Sequence, residues 1–249
     1  MFLKPFGLIV IAACLCVHAP GAAQAQDFLK KALGVLKSID EIAPGASELT
    51  RREIADGLRE ALRVGTERVV ASVGRRDGYN FDRDIHIPLP DVLRDVQSAL
   101  AMVGMGGLGD DLELKLNRAA ETAAPMARDV FWESVSNMTM DDVMAIYEGP
   151  DDAATRYFQR TMTPSLIARM RPIVDDSLSQ VGAVRAYDDM MGPYKRMPLV
   201  PDVKADLTDY AVEKALDGLF FKLAEEEAAI RRNPAKRTTE LLRRVFGPA

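Results

Sequence analysis

Apolar residues recur at three- and four-residue intervals in segment after segment of this chain, and no stretch alternates apolar with polar for long. The pattern therefore predicts helices and no sheet. Residues 27–39 (DFLKKALGVLKSI) form a short amphipathic helix, ended by Pro44 and Gly45. Residues 47–74 give the clearest helix: Thr50 and Glu53 make a capping box, and Ile54, Leu58, Ala61, Leu62, Gly65 and Val69 follow at helical spacing up to Gly74. The rhythm breaks at 75–90 (RRDGYNFDRDIHIPLP). There Ile85, Ile87 and Leu89 alternate with His86 and two prolines, which predicts an extended piece laid across helices, since no partner strand is evident. Helix returns at 91–103 with Val92, Val96, Ala99 and Leu100 on one side, followed by a flexible turn at Gly104, Gly106, Gly107 and Gly109. The helix 110–127 extends to Trp132 through a kink at Pro125, with Trp132 placed in the core beside Phe131.

Thr139 and Asp142 form a second capping box, and Gly149-Pro150 stops the helix it opens. A helix at 151–162 is followed by another at 163–182, with Pro164 at its first position and a bend at Pro172. A short helix at 184–191 precedes a connection with Pro193, Pro198 and Pro201. Then comes a long charged helix at 204–232, a break at Asn233-Pro234 and a terminal basic helix at 235–246. About nine or ten helices with short loops, no fixed-period repeat and no Ser/Gly-rich linker predict an all-α, bundle-like single domain over 27–247.

Two helices carry charge where an ordinary core helix would carry leucine. In 110–127, Glu113, Asn117 and Glu121 fall at i, i+4 and i+8 beside an apolar stripe of Leu112, Leu116, Ala119 and Ala123, with Lys115 and Arg118 flanking. In 210–231, Glu213 and Asp217 repeat the spacing, and Lys214 lies off their stripe. The expectation is that these two helices meet and pair polar groups across the gap, because a buried carboxylate is costly unless partnered. Acid/base catalysis or a divalent cation site on the same carboxylates is the rival reading, although no metal-loop spacing is present.

Charge and targeting narrow the classes. The formal net charge of -5 disfavours nucleic acid and anionic lipid as general partners. Lys4, the apolar run Phe6–Val17 and Ala23-Gln24-Ala25 read as an export signal cut after Ala25, which places the protein in the periplasm. Ile11-Ala12-Ala13-Cys14 offers a rival lipoprotein cut anchored at Cys14. Cleavage after Ala25 removes both cysteines and one lysine, leaving 31 basic and 37 acidic residues, a net of -6. No stretch is long enough for a membrane span.

Other constellations read blandly. Asp77, Asn80, Asp82 and Asp84 lack the order of a calcium loop and predict an exposed polar loop. His86 is the only histidine beyond the signal, and no nucleophile elbow, phosphate loop or zinc motif is present, so no cofactor is expected. Glu225-Glu226-Glu227 with Arg231-Arg232 predicts a solvated helix face. Arg237, Thr238 and Thr239 suit a helix start, either as caps or as an anion site. Methionines crowd the middle of the chain (Met138, Met140, Met144, Met162, Met170, Met190, Met191, Met197). They predict core filler, or a cleft for an apolar ligand.

Four blocks of text carry a family resemblance: IHIPLP (85–90), ELKLNRAAETAAP (113–125), EKALDGLFFKLAEEEAAIRRNP (213–234) and RTTELLRRVFG (237–247). Together they resemble the bacterial family of domain of unknown function 4197, DUF4197, over about 27–247, with a departure at Phe81-Asp82-Arg83. The resemblance implies an exported, mainly helical bacterial protein and supplies no catalytic residue. The functional expectation is a non-enzymatic protein that binds a hydrophobic small molecule, an amphiphile or a cell-envelope protein. The alternative is a carboxylate-dependent, hydrolase-like enzyme using Glu113, Glu121 and Glu213.

Overall fold

The computed structural model describes residues 50–192, 206–237 and 239–246. The chain divides into two units, 1–48 and 49–249, and the described residues belong to the second. The signal segment, the helix expected at 27–39, the Pro193–Pro201 connection, Met197 and Thr238 lie outside the described residues.

Among the described residues all regular structure is helical. In chain order the α-helices are α1 (Arg51–Val73), α2 (Asp91–Ala101), α3 (Gly107–Ala123), α4 (Ala127–Asn137), α5 (Met140–Tyr147), α6 (Ala153–Gln180), α7 (Ala183–Met191), α8 (Leu207–Arg232) and α9 (Glu240–Phe246). Both capping boxes form. The Thr50 hydroxyl accepts from the Glu53 amide at 3.2 Å while the Glu53 carboxylate accepts from the Thr50 amide at 3.0 Å. Thr139 and Asp142 repeat the arrangement. A 3₁₀ turn, Ala124–Met126, takes Pro125 and separates α3 from α4.

The largest departure from the expected elements is α6, a single 28-residue helix running through both Pro164 and Pro172. Each interior proline costs roughly 3 kcal/mol. Phe158, Met162, Leu166, Met170, Val174 and Leu178 recur every fourth residue through both prolines, and all are buried. At about 1.5–3 kcal/mol for each buried side chain of this size, the stripe outweighs the prolines. Gly182, at φ 75°, turns the chain from α6 into α7.

α6 packs along α8 and α3, α1 lies along α8, α4, α5 and α9, and α7 covers α3. Phe131 of α4 sits edge-on to Phe158 of α6 at 5.2 Å and to Phe220 of α8 at 6.3 Å, which ties the three helices at one point. Trp132, expected inside, is 39% exposed, because its neighbour Phe131 takes the inward position; the Arg128 guanidinium covers its ring at 5.4 Å. On α2 the inward residues are Leu93, Val96 and Leu100 rather than Val92. Met138, Met162, Met170, Met190 and Met191 are buried core residues, so the methionine-lined cleft is not formed by them.

Candidate functional site

The polar stripe of α3 engages the chain's own connection, residues 75–90, rather than another helix. This connection runs as turns over 76–81 and 83–85 and carries no regular structure over 86–90. Each stripe residue takes hold of backbone. The Glu121 carboxylate accepts the amides of Tyr79 and Asn80, both at 3.1 Å. The fully buried Asn117 accepts the Ile87 amide at 2.9 Å and donates to the Ile87 carbonyl at 2.8 Å. Glu113 accepts the Leu89 amide at 3.0 Å and lies 2.8 Å from Nε2 of His86, whose Nδ1 faces the Asn80 carbonyl at 2.9 Å. Unpaired backbone groups are expensive to bury, so an irregular segment docked between helices needs such partners.

Arg118 locks the beginning of this strap. It donates to Glu121 and to Asp77, both at 2.6 Å. Asp77 stands at φ 65° and also accepts from Asn80. The Arg118 and Asn80 bonds hold the Asp77 carboxyl below the usual carboxylate range. The cluster Asp77, Asn80, Asp82 and Asp84, expected to be an exposed polar loop, is thus tied into the fold on both sides.

The opposite wall of the strap is α8. The buried Tyr79 hydroxyl donates to the Ala215 carbonyl at 2.6 Å, and burial, with the Glu121 charge adding to it, pushes the phenol pKa up. The Tyr210 hydroxyl donates to the Pro88 carbonyl at 2.9 Å. A Cβ on Gly218 would stand 2.8 Å from the Tyr79 ring and 2.9 Å from Ile85, so only glycine admits the strap this close to the helix. Lys222 reaches Asp82 at 2.9 Å and Asp84 at 3.3 Å. Partial burial pulls the Lys222 pKa down, but its bonds to Asp82, Glu225 and Asp84 outweigh that and push it up.

The two charged helices do meet, but the expected pairing of polar groups across the gap runs through the strap. Helices α3 and α8 touch, yet no hydrogen bond or ion pair joins their side chains among the described residues. Lys115 pairs with Asp111 on its own helix at 3.2 Å, and Lys214 pairs with Asp217 at 3.1 Å on its own. Glu213 is exposed and lies about 140° around α8 from Gly218, at about 100° per residue, so it faces away from the strap. Glu113 and Glu121 are thus committed to the strap, and Glu213 does not join them.

A second buried carboxylate went unread in the sequence. Glu227, expected on a solvated face, is 8% exposed and accepts the Ala154 amide at 3.0 Å and the Thr155 amide and hydroxyl, both at 2.9 Å. It caps the start of α6 from a different helix, where the free N–H groups and the helix dipole favour an anion. Arg231 pairs with Glu227 at 3.1 Å and donates to the Ile146 and Tyr147 carbonyls that end α5. Glu226 is held by Arg68 and Lys236, which leaves Glu225 as the exposed member of the three. Arg237, expected at a helix start, caps a helix end instead: it is buried and donates to the Ile230 and Arg231 carbonyls.

The open chemistry lies elsewhere, in a groove of about 510 Å³ between α6 and α8. It is lined by Gln159, Thr163, Ile167 and Arg171 from α6 and by Asp209, Val212, Glu213, Leu216, Asp217 and Phe220 from α8. Val212, Leu216 and Phe220 form its floor, and Ile167 is 38% exposed on the facing wall. Asp209, Glu213 and Asp217 line up along one rim, and Arg171 pairs with Asp209 across one end. No group of three or more metal-ligating side chains stands together among the described residues. No described helix is long and apolar enough to cross a membrane.

No curated protein and no solved structure matches the chain. Residues 48–247 match the profile described as "Protein of unknown function (DUF4197)", an interval that contains the strap, both walls that hold it and the α6–α8 groove. The chain therefore belongs to the DUF4197 family.

Proposed function

We propose that this protein is an exported, non-enzymatic binding protein that takes an amphiphilic partner in the α6–α8 groove. The observation that carries the reading is the division of labour among its acidic side chains. Glu113, Glu121 and Glu227 are consumed by backbone amides, whereas Asp209, Glu213 and Asp217 rim an open concavity with an apolar floor. A few polar groups around an apolar surface is the usual form of a recognition site. The carboxylate-enzyme reading needs Glu113, Glu121 and Glu213 to share a reacting centre, and the first two serve the strap. Export rests on the Lys4, Phe6–Val17 and Ala23–Ala25 pattern, with the periplasm as the working compartment.

Site-specific photocrosslinking tests the groove. A photoreactive phenylalanine analogue at Ile167 should capture a partner in cells, and the same probe at the exposed Val184, which does not line the groove, should not. Equal capture at both positions, or none at Ile167, would remove the support for this site. Intact mass of the protein recovered from the envelope checks the compartment: cleavage after Ala25 gives an unmodified chain, whereas lipid on Cys14 would replace that reading.

A further inference from the structure

We infer that the occupant of the α6–α8 groove is a short basic amphipathic helix of a partner protein. This rests on the groove reading above and names what fills it. The rim residues Asp209, Glu213 and Asp217 recur every fourth position along α8, so their charges stand about 6 Å apart over about two turns, at 1.5 Å of rise per residue. A helix laid alongside presents lysines or arginines at the same i, i+4 spacing and an apolar stripe beside them.

The apolar stripe has its counterpart in Ile167, 38% exposed on the groove wall; Val212, Leu216 and Phe220 line the base and are themselves buried, at 3–5% exposure. The rim also shows how it receives a cation: Arg171 crosses from α6 and pairs with Asp209 at one end. The carboxylates of Glu213 and Asp217 continue that row with side chains 72% and 64% exposed, and the cation beside them, Lys214, comes from their own helix. A single-headed cationic amphiphile satisfies one carboxylate and leaves the periodic row without a match. An anionic bilayer is repelled by it.

The test uses the mature protein and four probes: a peptide of about 12 residues with lysines every fourth position beside a leucine stripe, the same peptide with glutamates for lysines, a scrambled peptide of identical composition, and dodecyltrimethylammonium. Affinity is measured by calorimetry and the site by amide NMR shifts. The basic amphipathic peptide should bind, shift Ile167, Val212 and Leu216, and weaken with salt. It should lose about ten-fold or more in affinity in Glu213→Lys and in Asp217→Lys, which alter exposed side chains and leave the fold intact. Binding no better than the scrambled peptide, or binding indifferent to both substitutions, would overturn the helical partner. Binding of dodecyltrimethylammonium alone would overturn it too while leaving the groove as the site. Failure of every probe together with no capture at Ile167 would take the groove reading down as well.

Discussion

Asn117 and Ile87 exchange both of their amide hydrogen bonds: the side chain of one helical residue pairs with the N–H and C=O of a residue 30 positions earlier, as a neighbouring strand would. Both residues are buried, so the pair replaces water that cannot reach either group. Replacing Asn117 with Leu leaves an N–H and a C=O unpaired in the interior and should cost about 2–4 kcal/mol in urea unfolding. The Ile87 amide should lose its protection from hydrogen exchange at the same time. A loss under about 1 kcal/mol with Ile87 still protected would show that the strap is held by other contacts.

Gly218→Ala offers a test whose sign is set by tertiary contact. In an isolated helix, alanine gains roughly 1 kcal/mol over glycine. Here the added methyl meets the Tyr79 ring and Ile85 at under 3 Å, and both belong to the strap that Tyr79 fastens to Ala215. The expected outcome is net destabilisation of about 1–3 kcal/mol, seen as a lower Tm. A rise in Tm would mean that the strap gives way freely.

Glu227 and Arg231 should behave as a coupled pair. Glu227→Ala frees two amides at the start of α6 and leaves the Arg231 guanidinium with less compensation in a partly buried position. The expected cost is about 3–5 kcal/mol. In a double-mutant cycle with Arg231→Met, the two losses should fall short of adding, by on the order of 1 kcal/mol or more. Additivity would indicate that Glu227 acts on α6 alone.

The strap has opposite sensitivities at the two ends of the pH scale. Arg118 and Asn80 depress Asp77, and Asp82, though pushed up by partial burial, is drawn below its ordinary value by Lys222 and the Asp84 amide. Groups depressed in the folded state contribute stability above the ordinary Asp value of about 3.9, and lose it as the pH falls through their folded values. At the alkaline end, the Tyr79 phenol and the Lys222 ammonium are both raised. Their stability is present below the ordinary values of about 10 and 10.4, and is lost as the pH rises beyond them. Protection of the 77–89 amides from hydrogen exchange, corrected for the intrinsic rate, should therefore be flat near neutrality and fall below about pH 3.9 and above about pH 10. Tyr79→Phe should blunt the alkaline fall, and an unchanged alkaline limb would assign it elsewhere.

Much of the fold was legible in the chain because the signals were local. Thr50 with Glu53 and Thr139 with Asp142 announced helix starts through bonds that span three residues. The absence of alternation excluded a sheet, and IHIPLP at 85–90 marked a break between helices. The unity of α6 was also written there, in six apolar residues at four-residue spacing that run through Pro164 and Pro172. That stripe had to be weighed against two helix breakers, and packing settled the balance.

The sequence by itself determined the helical class, the capped starts at Thr50 and Thr139 and the stripe Glu113–Asn117–Glu121, because these follow from periodicity and short-range hydrogen bonds. Only the tertiary structure decided what that stripe grips, that Glu227 caps a helix on another element, and that Glu213 faces an open groove. A carboxylate reads the same in a sequence whether it meets a guanidinium, an amide or water. The choice among them depends on which elements arrive beside it, and that is set by burial of the whole core rather than by any residue near the carboxylate in the chain.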